Sequence, residues 1–273
     1  MANPVSAGDR LDLGGPLWIV GCGTMAGAML GRWIAAGLDP ARVTVINRSA
    51  RSMPEGVRLV HVVPEGPGPA VLVLGVKPQQ VGDVAPLLGD VRPAMLMSIL
   101  AGVEEATLAA RIPADAVVRA MPNLPVAIGR GVTALASASA GPAARALAEA
   151  LATPLGLVEW VAEDAFDAVT ALAGCGPGFV FRFADALAAA GAALGLPADQ
   201  AARLAVATLE GAGIMAAASP DSPAVLADRV ASPGGSTRQG LNVLDADGAL
   251  VALLTETLAA AARRNAEMAA AAR

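Results

Sequence analysis

The chain has 273 residues, of which 55% are apolar and 16% charged, and its formal net charge is −5. Typical domains run about 100–200 residues, so one large or two modest domains with a sizeable core are expected. No basic stripe interleaved with aromatics occurs, which argues against nucleic acid as the main partner, and no unbroken apolar run of about 18 residues argues for a membrane helix.

The first segment, Met1–Gly15, carries Asp9, Arg10 and Asp12 without an apolar stretch. It reads as a short mobile tail rather than a signal peptide. Short apolar runs then alternate with helical patterns. Leu17–Val20 is a predicted strand ending at Gly21, Thr24–Ala36 a helix, and Val43–Ile46 a strand. Val57–Val63 and Val71–Val76 read as further buried strands, and Pro78–Leu88 as a helix with proline in its first turn. Ala94–Ile99, Glu104–Arg111 and Val117–Ala120 continue the alternation, with a strand at Gly131–Ala136 and a helix at Pro142–Leu151. Such alternation builds a mostly parallel sheet covered by helices. From about Glu163 the pattern turns helical: 163–173, 178–194, 198–218, 224–230, 235–244 and 249–270, separated by Gly, Pro or Asp turns. An α/β domain over 16–160 and an all-α domain over 161–273 are expected.

Gly21-Cys22-Gly23-Thr24-Met25-Ala26 fits the dinucleotide fingerprint G-x-G-x-x-G/A between a strand and a helix. The first glycine allows the tight turn, the second lets backbone approach a pyrophosphate, and the small last residue packs helix on strand. After the second strand stand Asn47, Arg48 and Ser49. An NAD site places an acid there for the ribose hydroxyls, whereas Arg48 suits a 2′-phosphate, so NADP with a preference for NADPH is expected. Lys77, the only lysine, follows the strand of Val76 and precedes Pro78. Strand carboxyl ends are where α/β folds bind ligands.

His61 is the only histidine, and tyrosine is absent. A Ser-His-Asp or Cys-His mechanism would rest on a loop residue alone, so a cofactor is expected to carry the chemistry. The two cysteines, Cys22 and Cys175, cannot build a Cys-based zinc site; no metal is expected, and a reducing cytoplasm fits.

In order along the chain, Gly21–Ala26, Val76-Lys77-Pro78, Ser98 with Ala101-Gly102, Arg119-Ala-Met-Pro-Asn123, Gly174-Cys-Gly-Pro177, Gly195-Leu-Pro197 and Ser232-Pro-Gly-Gly-Ser-Thr237 together resemble the pyrroline-5-carboxylate reductase family. The resemblance implies a Rossmann-type domain followed by a helical substrate-binding domain through which two subunits form a homodimer. It also implies NADPH-dependent reduction of 1-pyrroline-5-carboxylate to L-proline, the last step of proline biosynthesis, by hydride transfer to the C=N carbon. Carried over by motif, residues 21–26 line the pyrophosphate and Arg48 and Ser49 hold the 2′-phosphate end, with Asn47 before them also cofactor-binding. Val76, Lys77, Pro78, Ala101 and Gly102 border the cofactor, and Met121, Pro122 and Asn123 lie near the nicotinamide. Glu163 is implied near the substrate amine, with Ser236 and Thr237 on the substrate and Arg229 approaching the neighbouring subunit's cofactor.

The segment from Ser232 through Gly234 and Gly235 has its own logic. Backbone N–H groups at a helix start suit a carboxylate, and the Thr237 hydroxyl suits a ring nitrogen. An ordinary helix cap by Ser232 or Ser236 is the structural alternative. No obligatory side-chain acid stands out. The chain departs from the family at Cys175, Gly178 and Phe179, where serine, alanine and often tyrosine are usual, and at Arg229, where asparagine is usual. Before the fourth strand an expected asparagine is missing and the stretch reads His61-Val62-Val63-Pro64. A related cyclic imine as substrate, or a non-catalytic dinucleotide sensor, are the alternatives. A β-hydroxyacid dehydrogenase is disfavoured because no lysine follows Lys77.

Overall fold

The computed structural model describes residues 11–272. The chain divides into two compact units: a larger one running through Cys175 and taken up again from Ala261, and a smaller one, Gly176–Ala260.

In the larger unit the strands are β1 (Leu17–Val20), β2 (Val43–Ile46), β3 (Arg58–Val60), β4 (Val71–Leu74), β5 (Met95–Ser98), β6 (Ala116–Pro122), β7 (Gly131–Ala136) and β8 (Gly156–Trp160). They form one sheet in the order β3-β2-β1-β4-β5-β6-β7-β8. β1 through β6 are mutually parallel; β7 runs antiparallel to β6, and β8 parallel to β7. β1, β4 and β5 are buried along their whole length, as strands covered on both faces must be. Strand order reverses direction between β1 and β4, the switch point where doubly wound sheets open a ligand crevice.

The helices of this unit are α1 (Thr24–Ala35), α2 (Val81–Val84), α3 (Glu105–Arg111), α4 (Pro142–Ala152) and α5 (Phe166–Val169). One core joins α1 and α4 to the sheet through Met29, Leu30, Trp33, Leu151 and Leu155. Trp33 donates from its indole nitrogen to the Leu151 carbonyl at 2.6 Å, so its polar edge is satisfied within the core. A second core lies under Leu72, Leu74, Val81, Leu96 and Leu108.

The smaller unit holds α6 (Gly176–Ala193), α7 (Ala198–Ala218), α8 (Pro223–Arg229), α9 (Ser236–Asp245) and the start of α10 (Ala249–Ala272). α7 is long and apolar enough to cross a membrane by length and composition alone, but only 11% of that window is buried and it carries Asp199, Arg203 and Glu210. The end of α10 belongs to the larger unit, where it packs on the loop after β5. Gly102 sits there at φ +70°, and a Cβ on it would come 2.9 Å from the Ala269 nitrogen and 3.2 Å from the Asn265 oxygen. Only glycine meets both the backbone angle and this close approach.

Several expectations need correction. The strand read over 57–63 is only Arg58–Val60. The helix read over Pro78–Leu88 is one α turn between two 3-10 turns, because Pro78 and Pro86 each remove a backbone donor. β8 was not expected: its residues are at most half-buried, and five residues at a sheet edge carry little pattern. The helix read over 163–173 is a 3-10 turn, one α turn and a π turn. The tail expected over 1–15 is packed at its end. Leu13 is buried, and Asp12 pairs with Arg42 at 2.8 Å; residues 1–10 lie outside the described residues. Strands give way to helices between Trp160 and Glu163, where sequence puts the domain boundary. The compact unit nevertheless extends to Cys175 because Phe166 and Ala171 are buried.

Candidate active site

A cleft of about 570 Å³ opens at the carboxyl ends of β1, β2 and β4. Gly21 begins the turn after β1 at φ +82°, and a Cβ there would lie 2.6 Å from Val76 Cγ1 and 2.8 Å from the Val76 nitrogen. The turn after β1 and the end of β4 are therefore pressed together, and only glycine allows it. Gly23 is the N-cap of α1 without a side-chain cap, so the first-turn N–H groups of Thr24, Met25 and Ala26 are left for a ligand. Gly23 and Thr24 are exposed, while Ala26 is buried against the core. Cys22 is also buried, and burial pushes its thiol up, with Arg51 partly opposing. It is a packing residue, with backbone groups as its contribution to the turn.

Asn47 ties the two ends of this cleft together. Its Oδ1 accepts from the Cys22 N–H at 3.4 Å, and its Nδ2 donates to the Ser49 carbonyl at 2.9 Å. Arg48 lines the cleft and is exposed; Ser49 is held by Asn47 beside it. Lys77 and Val76 line the opposite wall, and Pro78 starts the following 3-10 turn, in which the Lys77 N–H donates to Gln80 at 3.1 Å. The charged side chains on the lining are Arg48 and Lys77, with no carboxylate among them, which suits a polyanion. His61, Val62 and Val63 complete the wall, and His61 Nδ1 lies 2.8 Å from the Asn47 carbonyl. Sequence reasoning had left this stretch without a role. Its position one strand beyond β2 on the same sheet edge was the available signal. Arg51 was also missed; it donates to the Cys22 carbonyl at 2.5 Å and steadies the glycine turn.

Further along the sheet edge, Ala101 and Met121 join Phe166, Val161 and Val169 in one small apolar cluster. Asn123, at the end of β6, is buried, and its side chain bonds to backbone on both sides: Nδ2 to the Ala173 carbonyl at 3.0 Å and Oδ1 from the Val132 N–H at 2.9 Å. It holds the loop rather than presenting a free amide. Glu163 begins the turn after β8. Its Oε1 accepts from Arg119 Nη1 at 2.7 Å and from the Glu105 N–H at 3.3 Å. The resemblance had given Arg119 no role of its own.

The remaining candidates lie in the smaller unit. Ser232 closes a turn in which its carbonyl accepts from the Gly235 N–H at 2.9 Å, and Gly235 is the N-cap of α9. Ser236 and Thr237 open α9 and are exposed, as are Ser232 and Gly234. No side chain caps this helix, so its first N–H groups are available and the serine cap weighed from sequence is not formed. Arg229, at the end of α8, is paired with Asp221.

This fold and these motifs are matched by known proteins. Residues 163–268 fit the family model described as pyrroline-5-carboxylate reductase dimerisation, and residues 17–102 fit one described as NADP oxidoreductase, coenzyme F420-dependent. Pyrroline-5-carboxylate reductase of Synechocystis is 36% identical, covering 92% of this chain and 97% of that protein. The enzyme of the same name from Thermus thermophilus is also 36% identical, over 92% of this chain and 98% of its own. The solved pyrroline-5-carboxylate reductase of Coxiella burnetii superposes with a TM-score of 0.84 at 32% identity, covering 93% of this chain and 98% of that one. With this identity sustained across both units, the chain belongs to the pyrroline-5-carboxylate reductase family.

Proposed function

We propose that the protein reduces 1-pyrroline-5-carboxylate to L-proline with NADPH, as an oxidoreductase acting on a C=N bond. The observation that carries the reading is the glycine turn of Gly21 against Val76, with uncapped α1 N–H groups and Arg48 on one crevice wall. Its relatives bear the name of this reaction over nearly their whole length.

These residues fit an NADP molecule. The α1 N-terminus and the backbone of residues 21–26 would hold the pyrophosphate, Arg48 with Asn47 and Ser49 the 2′-phosphate, and Lys77 the phosphate side of the opposite wall. Ala101, Gly102 and Met121 would border the nicotinamide end. The bound cofactor supplies a hydride to the imine carbon.

The protein's part is to bind the imine in its protonated form and to orient it. The backbone donors of Gly234 and Ser236 at the uncapped start of α9 suit the substrate carboxylate, the Gly235 N–H being spent on the Ser232 carbonyl. The Thr237 hydroxyl suits the ring nitrogen, and the Glu163 carboxylate favours positive charge on it. As the carbon gains the hydride, the C=N π pair passes to nitrogen, which becomes the amine. The proton is already on the protonated imine, so no side-chain acid is required.

Large apolar side chains stand exposed on α6, α7 and α10, among them Phe181, Ile214 and Val251. Together with the dimerisation match, they support assembly of like chains through the helical domain. Both cysteines are free, in keeping with a reducing cytoplasm.

The test is NADPH consumption with 1-pyrroline-5-carboxylate, with L-proline quantified as product. Tight NADPH binding without turnover of this substrate would favour a sensor. Cys175 and Phe179 in place of the usual hydroxyl-bearing residues favour a second assay with a six-membered cyclic imine; faster turnover there would reassign the substrate.

A further inference from the structure

We propose that Arg119 is a positioning residue that aims the Glu163 carboxylate at the substrate nitrogen. The inference rests on the reading above that Glu163 meets the substrate amine.

Arg119 is the one charged residue in β6, a strand buried along its whole length, and it is 3% exposed. A buried guanidinium is a poor stabiliser, because an apolar side chain of similar volume packs there at lower cost. Its Nε has no partner, which adds to that cost. A fold-only role does not account for the residue.

Its contacts do. The guanidinium lies 3.9 Å over the Phe166 ring, which fixes its plane, and Nη1 reaches Glu163 Oε1 at 2.7 Å. The pair is lopsided: the arginine side chain is 4% exposed and the glutamate side chain 41%. The cation is therefore the fixed member and the carboxylate the presented one. The Glu105 N–H, from the first turn of α3, bonds the same Oε1. Both described bonds fall on one oxygen, which leaves Oε2 to accept from a cationic nitrogen. Without Arg119, only the 3.3 Å bond from the Glu105 N–H would hold the Glu163 side chain. Phe166 also packs in the cluster that holds Ala101 and Met121, so the pair is mechanically tied to the residues bordering the nicotinamide end.

The experiment is a double-mutant cycle on the full chain with R119M, E163Q and the pair, at saturating NADPH. E163Q is expected to lower kcat/KM for 1-pyrroline-5-carboxylate at least tenfold. R119M should lower it about as much, with NADPH affinity within twofold of the parent. In the E163Q background, R119M should cost less than threefold, because nothing remains to be aimed. R119K, which keeps the charge but loses the planar fork, should lose about fivefold in the parent and under twofold in E163Q; it carries the same cycle should R119M not fold.

A silent E163Q removes the substrate role of Glu163 and the proposal with it. Impairment by E163Q with a silent arginine variant overturns the positioning role alone. An equal loss from the arginine variant in both backgrounds also overturns it, since Arg119 would then act independently of Glu163.

Discussion

The Asn123 amide nitrogen donates to the Ala173 carbonyl at 3.0 Å, joining the end of β6 to the π turn that leads into α6. Its oxygen simultaneously accepts from Val132, so one buried side chain braces two loops. Leaving a buried donor or acceptor unmade costs about 1–3 kcal/mol. We therefore expect N123A to lose about 2–4 kcal/mol of stability, and N123D, which keeps the acceptor but buries a carboxylate oxygen against the Ala173 carbonyl, at least as much. Chemical denaturation of both variants measures this. A loss below about 0.5 kcal/mol for N123A would mean that the brace is dispensable and that the residue serves a ligand instead.

Arg48 is an exposed cation on a cleft wall without carboxylates, and the proposed preference for NADPH rests on it. A charge-assisted hydrogen bond is worth about 1.5–3 kcal/mol, or roughly ten- to a hundredfold. R48A is expected to weaken NADPH by that factor while leaving NADH within about threefold. Steady-state constants with both cofactors decide it, and equal losses would remove Arg48 from the 2′-phosphate site.

Legibility from sequence followed the strength of the physical constraint. β1, β2 and β7 matched their expected limits residue for residue: β1 is wholly apolar between Pro16 and Gly21, and β2 and β7 are apolar runs broken by a single threonine each, a β-branched residue that suits a strand. The glycine turn was legible for the same reason, since Gly21 has no substitute against Val76. β8 was not, being short and only partly covered. The site's inner half was least legible. Nothing in a linear pattern places Arg119 under Glu163, 44 residues later, because that contact depends on β7 and β8 adding to the sheet edge in opposite sense to the rest. The bracing role of the Asn123 side chain, engaged by backbone on both sides, was equally invisible in the motif.

Assembly follows from what the helical unit leaves uncovered. Val180, Phe181 and Phe183 on α6, Ile214 and Met215 on α7, and Val251 and Leu253 on α10 are each at least 45% exposed. Burying such a side chain contributes about 1.5–3 kcal/mol, so a surface of this kind favours an obligate partner. We expect sedimentation equilibrium to show dimers or larger assemblies and no folded monomer at micromolar concentration. F181D and I214D should reduce assembly and melting temperature together. A cooperative, folded monomer in that range would refute it.

Thr237 is the second residue of α9, past the turn closed by the Gly235 N–H on the Ser232 carbonyl, and its hydroxyl makes no cap bond. The absence of a capping bond separates two accounts of the residue. A structural threonine at this point would be expected to satisfy one of the open N–H groups, and its loss would lower stability by about 1 kcal/mol. A substrate ligand would instead keep its hydroxyl for the ring nitrogen, where charge changes during reduction. On the second account T237A retains the fold, the melting temperature and NADPH affinity, but loses about 1–3 kcal/mol of transition-state stabilisation, roughly five- to a hundredfold in turnover. T237S keeps the hydroxyl and should stay within a few-fold of the parent. The measurement is turnover per folded site beside the melting temperature for both variants. Normal turnover in T237A with a lowered melting temperature would assign the residue to the helix, and the carboxylate subsite would then have to rest on the backbone of Gly234 and Ser236 alone.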